Sequence, residues 1–197
     1  MSWTPPPLDP RRLPAHLQPA LPVDESDFYA FWRAPRYRWW KGVLAVLMAA
    51  FLFLVTSTIA QFIGWSIDGV DLSVLARFEI PPVGPGFFLA NNIALALCIP
   101  ISMVTAWVCV QQRPRWLSSV VGGIRWGWLG RLALALAPLW ILVIGGSHLL
   151  GPLDDVRVRD HTVVMIVGIL LTTPLQAAGE EYLVRGLLGR AVGSWFR

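Results

Sequence analysis

The chain has 197 residues, of which 55% are hydrophobic and only 14% are charged. A soluble domain of this length carries more charge, because its outer surface is solvated by water. The composition therefore excludes an ordinary soluble protein and predicts an all-α, polytopic integral membrane helical bundle that has membrane lipid as a partner. The net charge is +4, but the charges lie between apolar runs and not on one face. We therefore do not expect a nucleic-acid partner.

Residues 1–40 are predicted to form a Pro-rich, partly disordered cytoplasmic tail. Its prolines block regular structure: Pro5, Pro6, Pro7, Pro10, Pro14, Pro19 and Pro22. The piece from Asp24 to Trp40 is aromatic and basic. It is suited to lying at a lipid interface, and the simpler interpretation is an ordered approach to the first span.

Residues 41–197 are predicted to form a membrane domain with about four transmembrane helices. The apolar runs cover about 42–65, 87–110, 128–150 and 162–183, and a helix needs about 20 residues to cross the hydrocarbon layer. Tryptophans mark their ends as an aromatic belt does: Trp39, Trp40, Trp65, Trp126 and Trp128. Asp160 or Thr162 is expected to cap the fourth helix.

The distribution of cationic residues predicts the orientation. One side of the membrane receives most of them: Arg11, Arg12, Arg33, Arg36, Arg38, Lys41, Arg113, Arg115, Arg125, Arg131, Arg185, Arg190 and Arg197. The other side receives Arg77, Arg157 and Arg159, beside acidic residues that include Asp68 and Asp154. The positive-inside rule then places both termini in the cytoplasm and predicts a multi-pass protein of the plasma membrane.

The two cysteines, Cys98 and Cys109, both lie in the second apolar run. They are about three helical turns apart, too far for a disulfide within one helix. We expect them to be small packing residues.

The fourth span carries two adjacent carboxylates, Glu180 and Glu181, in its second half. Glu181 and Arg185 are spaced i and i+4, which predicts an ion pair on one helix face. Glu180 points about 100° away and shares a face with Gln176 and Thr173. The sequence thus predicts one neutralised carboxylate beside a second one, partly desolvated and without a cation, as a general base requires. The alternative is that both carboxylates form a solvated helix end, beside a snorkelling Arg185.

Two further features of the fourth span bear on this site. Pro174 removes one backbone hydrogen bond and is expected to kink the helix. Ala177, Ala178 and Gly179 are small enough to let a neighbouring helix approach closely.

The stretch GEEYLVRG resembles the first motif, Glu-Glu-x-x-x-Arg, of the CPBP intramembrane proteases. That family includes the CAAX prenyl endopeptidases and Abi-like bacterial proteins linked to bacteriocin self-immunity. The resemblance implies an endopeptidase with a peptide or protein substrate, in which Glu180 activates the attacking water. Glu181 and Arg185 would then be supporting residues of the catalytic site.

The resemblance covers only the first of the family's three motifs. The later ones, Phe-x-x-x-His and His-x-x-x-Asn, have no match around His16, His148 or His161. We therefore expect a C-terminally truncated copy or fragment that is inactive by itself. His148 and His161 fall at the outer ends of spans and are expected to be interfacial or capping residues.

The sequence does not determine whether the protein depends on a metal ion. One carboxylate is too few ligands for zinc, which takes three or four protein groups. A divalent metal such as zinc would need histidines that this chain lacks. Two non-protease functions also stay open: a membrane scaffold or immunity factor, and a transporter subunit in which Glu180 binds an ion or proton.

Overall fold

The computed structural model describes residues 19–22, 27–71, 73–77, 79, 81–119, 124–150 and 161–196. Within the helices it leaves out the side chains of residues 75, 76, 140, 144, 145 and 147–150. Residues 1–18 of the predicted tail, and the predicted outer loop with Asp154, Arg157, Arg159 and Asp160, lie outside the described residues.

The described residues form a bundle of helices. A 3₁₀ turn at Phe28–Ala30 precedes eight α-helices: α1 Trp39–Ile67, α2 Ser73–Ala76, α3 Pro85–Ala96, α4 Cys98–Thr105, α5 Arg115–Ser118, α6 Trp126–Leu150, α7 Thr162–Glu181 and α8 Gly189–Trp195. Two π-helical segments follow α4 and α7, at Ala106–Val110 and Tyr182–Leu188. Four helical stretches are long and apolar enough to cross a membrane: Trp39–Ile67, Pro85–Val110, Trp126–Val143 and Thr162–Trp195. This confirms the predicted all-α membrane bundle with four spans.

Helix α1 turns its small side chains toward the bundle. Its buried residues are Gly42, Ala45, Ala49 and Gly64, while its large apolar side chains, such as Leu47 and Phe51, are exposed. This arrangement is the one expected in lipid, where large apolar residues need no protein cover and small residues allow helices to approach closely.

The second span is not one continuous α-helix, as the run 87–110 predicted. Helix α3 ends at Ala96, and α4 begins at Cys98. Pro100 explains the break, because it has no N–H to donate to the carbonyl of Ala96 and its ring crowds that carbonyl. Cys98 and Cys109 are both buried free thiols, as expected of packing residues.

Helix α3 lies between α1 and α7 and forms close backbone contacts with both. A Cβ atom at Gly64 of α1 would lie 2.6 Å from Cα of Phe87. A Cβ atom at Gly179 of α7 would collide with the carbonyl oxygen of Leu95. The close approach predicted for the small residues before Glu180 is therefore present at Gly179.

Asp68, at the end of α1, holds the start of α3. Its carboxylate accepts hydrogen bonds from the backbone N–H groups of Gly86, at 2.7 Å, and Phe87, at 2.8 Å. These amides have no partner within their own helix, so the carboxylate satisfies them and also opposes the positive helix end.

Helix α6 forms the predicted third span, and none of its described side chains is buried. Its described side chains at positions 126–139 and 141–143 are all exposed. In the described part of the chain, the core cluster is built by the other three spans, the segment before α1 and Leu117 of α5.

The segment before α1 is folded against the bundle. Phe31, Trp32 and Ala34 are buried. The guanidinium of Arg33 donates to the carbonyl of Gly193 in α8, at 2.7 Å. This segment, the end of the second span and α8 meet at one end of the bundle, which we call the N-terminal face.

The fourth span extends beyond its predicted end at residue 183. Helix α7, the second π segment and α8 form one helical run from Thr162 to Trp195. Pro174 lies inside α7 without ending it. His161 occupies the N-cap position of α7, and its side chain makes no capping hydrogen bond. Asp160, one of the two predicted caps, lies outside the described residues.

Candidate carboxylate site

The three residues of the Glu-Glu-x-x-x-Arg motif lie where α7 changes into the second π segment. Glu180 and Glu181 are the last two residues of α7, and Arg185 is in the middle of the π segment. The contact of Gly179 with Leu95 fixes the helix just before the carboxylates. π segments are rare and are frequently found at functional sites.

The predicted ion pair is present. Nε of Arg185 lies 3.2 Å from Oε2 of Glu181, with side chains 62% and 57% exposed. Exposed pairs of this kind contribute about 0.3–0.5 kcal/mol to stability, because water screens the charges and two long side chains lose freedom. The pair thus orients Glu181 more than it stabilises the bundle.

Glu180 has a neutral partner in place of a cation. Nε2 of Gln176 donates a hydrogen bond to Oε1 of Glu180, at 3.2 Å. This contact confirms that the two residues share a helix face. Glu180 is exposed on the surface of the bundle, so no other helix in the described part of the chain covers it.

Thr173, the other predicted supporting residue, is engaged elsewhere. Its hydroxyl lies 3.5 Å from Nδ2 of Asn92, and the same amide donates a shorter hydrogen bond of 3.0 Å to Thr172. Thr172 in turn donates to the carbonyl of Gly168, at 2.7 Å. Thr173 therefore takes part in the contact between α3 and α7, whereas Gln176 is hydrogen-bonded to Glu180.

Asn92 is a residue that the sequence analysis missed. It is only 2% exposed, and it links the second span to the fourth a short distance above the carboxylates. A signal was present in the sequence, since an amide inside an apolar run is costly unless it is hydrogen-bonded to another helix. Its partner could not be named without the packing.

A second contact holds the π segment from the other side. The hydroxyl of Tyr182 and the hydroxyl of Ser118 in α5 are 2.6 Å apart. Glu181 is therefore followed directly by a residue that is anchored to the connection after the second span. This contact, like that of Asn92, joins parts of the chain far apart in sequence.

The histidines do not reach this site in the described structure. His161 precedes α7, 19 residues before Glu180, which is about 28 Å along a helix. It lines a cavity of about 410 Å³ at the opposite end of the bundle, together with Asp68. His16 lies outside the described residues, and the side chain of His148 is not described.

The described residues do not fit a metal ion. No group of three or more His, Cys, Asp or Glu side chains that could hold one occurs among them. Glu180 and Glu181 alone supply fewer ligands than a zinc site needs.

Comparison with known proteins identifies no relative. No protein-family description matches the chain, and no curated protein and no solved structure is similar to it at a significant level.

Proposed function

We propose that the chain is part of the membrane domain of an intramembrane endopeptidase, and that Glu180 is the general base of a site that other polypeptide segments complete. The proposal rests on the different partners of two adjacent carboxylates. Glu181 is paired with Arg185, while Glu180 accepts only from the neutral amide of Gln176. A carboxylate that is not neutralised by a cation is free to take a proton, and a neutral donor can orient it.

The proposed reaction is hydrolysis of a peptide bond. Glu180 removes a proton from a water molecule as its oxygen attacks the carbonyl carbon. The C–N bond then breaks, and the proton passes from Glu180 to the leaving amine. Gln176 holds the carboxylate, and Arg185 keeps Glu181 from competing for the water. No step is assigned to a metal ion, because the described residues do not fit one.

The exposure of Glu180 supports a substrate that approaches from outside the three packed spans. A peptide segment lying against α7 would cover the carboxylate and exclude bulk water, while the reacting water molecule stays beside Glu180. Removal of water strengthens the electrostatic interactions at a reacting centre. On this view the substrate is a membrane-embedded or membrane-adjacent polypeptide.

We also propose a location in the plasma membrane, with the N-terminal face toward the cytoplasm. The support is the concentration of Lys and Arg on that side. Single cysteines at Asp71 and Arg125, both exposed, test it in intact cells. An impermeant maleimide should label the first position directly and the second only after permeabilisation; the reverse pattern would invert the topology.

The catalytic role of Glu180 is best tested in the source organism, with the protein produced from its own gene. The gene is changed to encode Glu180→Gln, and new protein N-termini in the membrane fraction are quantified by mass spectrometry. Gln keeps the shape of Glu but cannot take a proton. We expect the N-termini that depend on this protein to disappear in Glu180→Gln, at unchanged protein level.

Glu181→Gln is the matched control, since it makes the same chemical change one residue away. We expect it to reduce those N-termini only in part, because it frees Arg185 without removing the base. If Glu180→Gln leaves every N-terminus at its wild-type level, while deletion of the gene removes some, Glu180 is not the base.

A non-enzymatic scaffold or immunity factor is the second candidate, and the exposure of α6 favours it. Three of its apolar side chains, Leu134, Ile141 and Leu142, are more than 70% exposed. Such a span is available for a partner helix. In the same experiment, a gene deletion that changes no N-terminus at all would favour this function over the peptidase.

A further inference from the structure

A cleft of about 310 Å³ opens on the N-terminal face, away from the carboxylate site. It lies where residues 19–21 approach the segment that follows the second span. Its polar lining comes from Gln111, Gln112, Arg113 and Arg115, and Trp116 adds an aromatic wall. The lining therefore contains hydrogen-bond donors and positive charge, and no carboxylate.

Gln112 brings a buried donor that has no partner. The side chain is only 1% exposed, and its Oε1 accepts a hydrogen bond from Nε1 of the fully buried Trp32, at 3.1 Å. An indole N–H can only donate, so this bond fixes the amide with its oxygen toward Trp32. The remaining group, Nε2, is buried without a hydrogen-bond partner. An unpaired buried donor is unfavourable, and a bound acceptor would satisfy it.

Arg113 and Arg115 bring charge that is not neutralised. Both are exposed, and the pair of Arg185 with Glu181 is the only ion pair in the described part of the chain. The guanidinium of Arg115 lies 5.2 Å from the centre of the Trp116 ring, which holds it beside the cleft wall. Two such guanidiniums can donate several hydrogen bonds to one oxyanion.

A third cationic side chain, Arg190, contacts the backbone of Trp116, which forms a wall of the cleft. Arg190 is completely buried, and its Nη1 donates to the carbonyl of Trp116, at 2.7 Å. Its guanidinium lies 4.3 Å from the ring centre of Phe28 and 5.0 Å from that of Phe31. No carboxylate is paired with it among the described residues, so its positive charge adds to the potential near the cleft.

The position of the cleft along the bundle indicates the source of an anion. The second span, Pro85–Val110, has 26 residues, which corresponds to about 39 Å of helix. The hydrocarbon layer is about 30 Å thick. Residues 111–116, which follow this span directly, therefore lie at the level of the lipid headgroups. Phosphate groups are the abundant oxyanions at that level.

We propose that this cleft binds the phosphate group of an anionic phospholipid. Gln112 donates through Nε2, Arg113 and Arg115 donate through their guanidiniums, and the acyl chains lie along the end of the second span. Lipid binding here would fix the N-terminal segment against the bundle, because the same amide of Gln112 holds Trp32. The site is independent of the chemistry proposed for Glu180.

The test uses the full chain in detergent, titrated with phosphatidylglycerol and followed by native mass spectrometry. Arg113→Gln combined with Arg115→Gln should weaken binding about tenfold. The control combines Arg125→Gln with Arg131→Gln, which removes the same charge from two exposed arginines that do not line the cleft. This control should weaken binding less than about threefold. Gln112→Glu removes the free donor but keeps an acceptor for Trp32, and it should also weaken binding.

Three outcomes would overturn the proposal. Equal weakening in the two double variants would show general attraction of lipid to surface charge. Unchanged binding in all variants would show that the cleft takes no lipid phosphate. Inorganic phosphate that binds with the same dependence on Arg113 and Arg115, without any phosphatidylglycerol bound, would assign the site to a free anion. Phosphatidylcholine, titrated in parallel, should bind more weakly than phosphatidylglycerol.

Discussion

Arg185 and Arg190 lie five residues apart on one helical run, yet their surroundings are opposite. Arg185 is 62% exposed and pairs with a carboxylate, whereas Arg190 is completely buried against aromatic rings and a backbone carbonyl. The difference comes from the segment before α1, which covers Arg190 with Phe28 and Phe31 and does not reach Arg185. Arg185, a residue of the Glu-Glu-x-x-x-Arg motif, is thus exposed, whereas Arg190, which lies outside the motif, is part of the N-terminal face.

Loss of Trp32 should have the largest effect, because this side chain is the centre of the N-terminal face. It is completely buried and hydrogen-bonded to Gln112. We expect Trp32→Ala to lower the free energy of unfolding by about 3–5 kcal/mol, measured in mixed micelles of detergent and SDS. Trp39→Ala is the control, since that side chain is 69% exposed. Equal losses in the two variants would mean that Trp32 is not part of a packed face.

Gly179 tests the contact that positions the carboxylate site. A Cβ atom there meets the carbonyl of Leu95, whereas a Cβ atom at Gly130 meets nothing within 4 Å. We expect Gly179→Ala to destabilise the protein by about 1–3 kcal/mol by forcing α3 and α7 apart. Gly130→Ala should instead leave stability unchanged or raise it by less than about 1 kcal/mol, because Ala favours the helix. The same unfolding measurement compares them, and equal effects would argue against the close approach.

Asn92 should have a smaller effect, through the hydrogen bonds that join the second and fourth spans. We expect Asn92→Ala to cost about 1 kcal/mol, in the range found for such bonds between membrane helices. A double-mutant cycle with Thr172→Val measures the coupling. The losses should be less than additive, and fully additive losses would separate Asn92 from Thr172.

The exposed ion pair should have the smallest effect. Breaking a buried ion pair from one side costs about 3–5 kcal/mol. With both side chains more than half exposed, we expect Arg185→Ala to cost no more than about 1 kcal/mol. A second double-mutant cycle, which combines Arg185→Ala with Glu181→Gln, measures the coupling energy of the ion pair directly. A loss as large as that of Trp32→Ala would show that the pair is covered in the membrane.

Several features of the site were predictable because they depend on spacing within one helix. Arg185 follows Glu181 by four residues, and Gln176 precedes Glu180 by four, so the helical repeat alone brings each pair together. Thr173 was assigned to the same face for the same reason. Its engagement with Asn92 depends on α3, which no spacing in the fourth span describes. The exposure of Glu180 likewise depends on which helices pack beside α7.

The sequence by itself determined that this is a membrane protein of four apolar helices, and which pairs on the fourth helix meet. Those properties follow from run length and from the 3.6-residue repeat, both of which are local. Only the tertiary structure decided that no described side chain of α6 is buried, that Trp32 meets Gln112 and that Arg190 is buried. The last two depend on contacts between residues far apart in the chain, 80 positions for Trp32 and Gln112 and 74 for Arg190 and Trp116. Lipid solvates every face of an apolar helix equally well. The sequence of the helix therefore does not specify which face another helix will cover.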